Sequence, residues 1–155
     1  MKIGTLVSGT AGMAALAMGA LAMAPPASAA APTTATVQVN CGDWGTGKAT
    51  LGAQGTGGRA TVTFTTPVVW ASHSIPADSL RTTLTLSTAN GKEVTLAGQS
   101  NPAWTLLGQP YASGPVTGTV TPGEPVQFKS LTSTYGTLTV HCVAVSAQSP
   151  GPFVF

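Results

Sequence analysis

Two cysteines, two histidines and four carboxylates make up the thiol, imidazole and acidic chemistry of this 155-residue chain. The thiols, Cys41 and Cys142, lie near opposite ends of residues 30–155, each in phase with an apolar alternation. Val37, Val39 and Cys41 share one side of their stretch, as Leu138, Val140 and Cys142 do of theirs, because successive strand side chains point to opposite faces. Both sulfurs therefore face inward, and a disulfide joining the first and last strands is expected. Such bonds persist in oxidising compartments and rarely in cytosol.

The other chemistry is thinner. Ser72, His73, Ser74, Asp78 and Ser79 bring a base, a carboxylate and hydroxyls close in sequence, the raw material of a hydrolytic site built on His73. No Gly-x-Ser-x-Gly elbow accompanies them, and a chain rich in hydroxyls produces such clusters readily. His141, between Val140 and Cys142, is expected to face outward. Asp43, Asp78 and the histidines lack His-x3-His or Cys-x2-Cys spacing, so neither a metal nor another cofactor is expected. Glu93 and Glu124 lie in or beside turns, where carboxylates are normally solvated. The glycine-rich stretches 42–47 and 55–58 open no helix that would receive a phosphate, and read as hairpin loops.

The aromatics offer a different kind of site. Trp44, Trp70, Trp104 and Tyr111, with Tyr135, fall near predicted loops, and rings gathered at one end of a β-domain would form a platform for sugars or apolar ligands. The competing reading is that each tryptophan caps the core, since large rings are usually mostly buried. The closing Phe153-Val154-Phe155 is expected to pack on its own sheet.

The elements that hold these residues begin after an export signal. Lys2, the uncharged run 3–24 and the small-residue site Ala27-Ser28-Ala29 read as a secretory signal peptide over residues 1–29, with an uncleaved anchor as the alternative. No cysteine directly follows the run to carry a lipid, and no second apolar span appears, so no stable membrane span is expected after cleavage. Residues 30–155 suffice for a single domain burying roughly two-thirds of its unfolded surface. Lys48, Arg59, Arg81, Lys92 and Lys129 are scattered among Asp43, Asp78, Glu93 and Glu124, which leaves no clustered basic footprint for nucleic acid. Disorder is not expected, because hydrophobicity is appreciable and net charge small.

Threonine holds the polar positions and valine or leucine the apolar ones, with glycine or proline every eight to twelve residues or so, the pattern of an all-β domain. Eight strands are expected, over 34–41, 48–54, 59–66, 79–88, 92–98, 115–120, 125–130 and 136–146. In the hairpin between the second and third, a four-residue loop 55–58 sets Gln54 against Arg59, Leu51 against Val62 and Ala49 against Phe64, gathering the apolar residues on one face. Ala89-Asn90-Gly91, with Gly91 in a G1 bulge, sets Leu86 against Val94 and Leu84 against Leu96. Thr121-Pro122-Gly123-Glu124 reads as a type II turn joining the strands around Val120 and Val126.

The expected fold is a single Greek-key β-sandwich of seven or eight antiparallel strands. The layout resembles an immunoglobulin-like sandwich, departing from it in the cysteine separation and in lacking a tryptophan on the strand after the first cysteine. The resemblance implies architecture and not function. In outline it also resembles small carrier proteins that hold apolar chromophores, which have two disulfides at other spacings.

Three functions follow as expectations. The first is an exported, non-enzymatic structural or assembly protein of a bacterial surface; the Ala, Gly and Thr richness and sparse charge resemble small secreted proteins of high-GC Gram-positive organisms. Few charges also leave edge strands unguarded and self-association open. The second is an extracellular binding module for a glycan, an apolar metabolite or an exported enzyme, using Trp44, Trp70, Trp104 and Tyr111; a glycan or another surface protein would be the partner. The third is a hydrolase using His73.

Overall fold

The structure is a computed structural model that describes residues 30–70, 74–104 and 107–155. The signal-peptide expectation, Ser72 and His73 lie outside those residues. The described chain forms eight antiparallel strands: β1 (Thr34–Asn40), β2 (Thr46–Thr56), β3 (Arg59–Trp70), β4 (Arg81–Thr88), β5 (Glu93–Gln99), β6 (Pro110–Thr119), β7 (Val126–Tyr135) and β8 (Leu138–Ala144). The helix among them is a single 3-10 turn, Gly42–Trp44. Alternation accounts for most strands directly: in β1 Ala35, Val37 and Val39 are buried, and in β3 Ala60, Val62 and Phe64 are.

The ladder runs β1-β2-β3-β6-β5-β4-β7-β8 and closes on itself. This corrects the expectation of two separately packed sheets, because β8 pairs back onto β1 and β5 onto β6. Both seams are thin. β1 and β8 share Val39↔Ala144 and Asn40↔Val143, and β5 and β6 share Ala97↔Thr117. At the second seam the backbones approach closely because β6 carries Gly118, where a Cβ would stand 2.7 Å from the carbonyl of Thr95. The crossings are Greek key, with β4, β5 and β6 forming a meander and β7 returning beside β4.

The register of β2 on β3 differs from expectation by two residues. Leu51 lies opposite Phe64, Ala53 opposite Val62 and Thr56 opposite Arg59, because Gly57 and Gly58, both at positive φ, close the hairpin as a two-residue turn. Gly55 and Thr56 thus belong to β2 and not to a loop. A shift of two preserves the face, so the expected apolar set is still the buried one. The β4–β5 hairpin follows the expected register, Leu86↔Val94 and Leu84↔Leu96, with Gly91 at φ 81°. The 121–124 turn also forms, Glu124 N–H donating to Thr121 O at 3.1 Å. It joins β6 to β7 as a crossing, since those strands are not neighbours.

β2, β3, β6 and β7 each run two or more residues past an expected bound, and β6 and β7 break alternation at a bulge. In β6, Gly114 and Pro115 together oppose Thr63, so Tyr111 and Ser113 point inward on one side of the bulge and Val116 on the other. In β7 the register slips beside Ser130, and Phe128 and Leu131 are both buried.

Cys142 lies in β8 and Cys41 immediately follows β1; the disulfide between them is formed and buried. At the opposite end the C-terminal segment takes over from β8. Ser149 bridges to Thr36, Phe153 to Val126 and Val154 to Ala31, and Phe153 and Phe155 are buried, as expected of that tail.

Candidate binding site

β1 ends at Asn40, whose side-chain oxygen accepts a hydrogen bond from Gly42 N–H at 2.8 Å. Cys41 N–H donates to Gly45 O (2.8 Å) and Gly45 N–H to Gly42 O (2.9 Å). These bonds wind residues 42–44 into the 3-10 turn, and the disulfide anchors its base to β8. Asp43 and Trp44 are thereby lifted over the outer face of β8.

Between turn and strand lies an open groove of about 460 Å³ lined by Asn40, Asp43, Trp44, Thr139, His141 and Val143, with Cys41 and Gly42 at its base. His141 is exposed, and its Nδ1 lies 2.9 Å from Thr132 Oγ1, which fixes the ring and leaves Nε2 toward solvent. The groove therefore combines an aromatic wall, a carboxylate, a side-chain amide, an imidazole nitrogen and a hydroxyl. This mixture suits a ligand with an apolar C–H face and a rim of hydroxyl groups.

The four aromatics proposed from sequence all reach this end of the barrel but form two separate pairs. Trp44 meets Trp70 edge to face, centroids 5.9 Å apart, and Trp70 is 52% exposed at the end of β3. Trp104 meets Tyr111 at 5.4 Å, and Tyr111 meets Phe64 at 6.1 Å. Trp104 is 4% exposed and Tyr111 not at all, so that pair is core packing. Trp104 Nε1–H donates to Gln109 O at 2.8 Å, which allows the indole to be buried.

Tyr111 also borders a buried hydroxyl cluster. Thr82 Oγ1 lies 2.5 Å from Ser113 Oγ and 2.7 Å from Ser133 Oγ. The phenolic oxygen is within the influence of these groups, yet none reaches it in hydrogen-bond geometry. Burial raises its pKa above the usual value of 10.0, and the neighbouring Ser133, Ser113 and Thr82 hydroxyls hold the rise back.

Of the His73 constellation, Asp78 and Ser79 are engaged locally. Asp78 Oδ1 accepts from Ser100 Oγ at 3.0 Å, and Ser79 Oγ donates to Pro76 O at 2.6 Å. The loop is secured by Asn101, whose oxygen accepts from Ser79 and Leu80 N–H and whose nitrogen donates to Pro76 O and Pro102 O. Glu93 pairs with Lys129 and Glu124 with Lys92 on the surface. Among the described residues, no cluster of three or more His, Cys, Asp or Glu side chains is arranged to hold a metal ion, and no helix is long and apolar enough to cross a membrane.

Sequence reasoning reached Trp44 and Trp70 but missed Asn40, Thr139 and His141 as groove partners. Their placement depends on the β1–β8 closure, and no local signal announces it. No protein family, curated protein or solved structure matches the chain.

Proposed function

We propose that the protein is an exported, non-enzymatic recognition protein of a bacterial surface that holds a carbohydrate in the groove beside Trp44. The observation that supports this is the juxtaposition of the Trp44 ring with Asp43, Asn40, Thr139 and His141 along one depression. A sugar ring laid on the indole buries its C–H face, while the flanking polar groups exchange hydrogen bonds with its hydroxyls. Export and an extracellular location accord with the disulfide. The resemblance to an immunoglobulin-like sandwich belongs to this reading as well, with the two thin seams dividing the barrel into four-stranded halves.

The test is intrinsic tryptophan fluorescence of the oxidised protein titrated with a panel of neutral and charged polysaccharides. A saturable shift that disappears in Trp44→Ala and His141→Ala is expected. Absence of a shift with every polysaccharide, or a shift that survives both substitutions, rejects the reading.

Assembly between copies is the second reading, supported by the exposure of Trp70 (52%) and of Leu107 (78%) at this same end. Sedimentation velocity separates the two: concentration-dependent association that is lost in Trp70→Ser favours assembly.

A further inference from the structure

The outer face of β2 and β3 carries two adjoining depressions, of about 500 Å³ and about 280 Å³, that share Thr33, Ala53, Gln54 and Thr61 and so form one groove. Its floor is low at Gly52, where a side chain is missing from the outward row, and the β6 bulge turns Pro115 outward to form part of its wall. The groove follows the strands from Gly52 to Thr56, about 14 Å at the usual rise per residue. That is room for a chain of linked rings, not for a single one.

The lining has a particular chemistry. Thr33, Thr34, Thr61 and Thr63 contribute hydroxyls, Gln54 an amide, and Arg59 the one charge. Apart from a long contact from Thr63 Oγ1 to Gly52 O (3.5 Å), none of these side chains has a hydrogen-bond or ion-pair partner among the described residues. No carboxylate lines the groove. Beneath it β2 pairs with β3 along the whole stretch and on its other side with β1 at Gly52, Ala53 N–H donating to Thr33 O at 2.8 Å. Recognition along the outward row of side chains falls to neutral donors and acceptors plus a guanidinium built for bidentate pairing with a carboxylate.

We infer that the β2–β3 groove binds an extended acidic polysaccharide, a chain of uronic-acid units, with Arg59 receiving a carboxylate and the threonine hydroxyls and Gln54 receiving the sugar hydroxyls. This site is on a different face from the Trp44 groove and stands independently of it. Aromatic stacking contributes nothing here, so affinity is carried by hydrogen bonds and one ion pair and weakens with salt.

The experiment is a titration of the ¹⁵N-labelled, oxidised protein with short alginate oligomers, followed by amide chemical shifts, with maltooligosaccharides of equal length as the neutral comparator. Shifts are expected at Gly52, Gln54, Thr61 and Thr63. Affinity is expected to fall about tenfold for the neutral chain and in Arg59→Gln, a loss typical of one charge-assisted pair. Thr61→Val, isosteric and outward-facing, weakens binding without disturbing the fold, and Trp44→Ala leaves it unchanged. The inference is overturned by any of three results: no shift at these amides in millimolar oligouronate, equal affinity for the neutral chain, or shifts confined to the surroundings of Trp44 and His141. The last result would support the Trp44 site while removing this one.

Discussion

Trp44 and Trp70 meet edge to face at 89°, so that the half-buried ring of the 3-10 turn rests on an exposed ring at the end of β3. The contact links the short turn after β1 to a strand two places away in the barrel. Such a pair is worth about 0.5–1.5 kcal/mol beyond the area it buries. Trp70→Ala is therefore expected to lower stability by about 1 kcal/mol and to loosen Trp44, read as faster amide exchange at Gly42–Gly45. A loss of carbohydrate affinity in this variant smaller than that of Trp44→Ala would agree with Trp70 supporting the groove from behind.

The disulfide closes a span of 101 residues. For a loop of that size the chain-entropy account gives up to about 4.7 kcal/mol, comparable with the whole stability of a small domain. Urea unfolding with and without reductant is expected to show a loss of several kcal/mol. Because the β1–β8 seam has only two residue pairs, amide protection at Val39, Asn40 and Val143 is expected to fall first.

Tyr111 carries a buried hydroxyl without a hydrogen-bond partner. Leaving such a group unsatisfied costs about 1–3 kcal/mol, so Tyr111→Phe is expected to hold or raise stability, against the usual direction for a core substitution. The pH dependence has a definite sign. The folded phenol has its pKa raised, mainly by burial, so the folded state retains a proton that the unfolded chain releases near pH 10. Its stabilising contribution is complete below pH 10 and lost above it. Thermal melts at increasing alkaline pH are expected to show a steeper decline for the native chain than for Tyr111→Phe.

Phe155 occupies the space that a side chain on residue 55 would need. A Cβ built on Gly55 stands 2.5 Å from Phe155 Cδ1 and 3.0 Å from Arg59 O. Gly55→Ala is expected to destabilise by about 1–3 kcal/mol through overpacking. Phe155→Ala, which opens the end of the barrel, is expected to cost about 3–5 kcal/mol. In a double-mutant cycle the two costs should sum to more than the double variant shows, because removing the ring relieves the larger clash. Simple additivity would refute that packing.

Alternation and turn chemistry made much of the fold legible. Eight strands stand where apolar residues recur at every second position, the Leu86↔Val94 register follows from Gly91 closing a three-residue loop, and the cysteines pair because both lie on the inward phase. The errors fall where local rules have more than one solution. Loops of two and of four residues at Gly55–Gly58 put the same side chains inside, and face alone does not choose between them. At Gly114-Pro115 and beside Ser130 a bulge reverses the phase, so a reading that stops when alternation stops cuts β6 and β7 short.

From the residues alone came the strand pattern, the buried sulfurs and the candidate rings, because each depends on side-chain type at spacings of one or two positions. Tertiary structure alone decided that the ladder closes, that Trp44 and Trp70 separate from Trp104 and Tyr111, and that Asn40, Asp43, Thr139 and His141 gather beside one indole. Those outcomes depend on which distant strands pair and on two thin seams. Long-range pairing is selected by packing of the whole chain, and no short window of sequence carries that information.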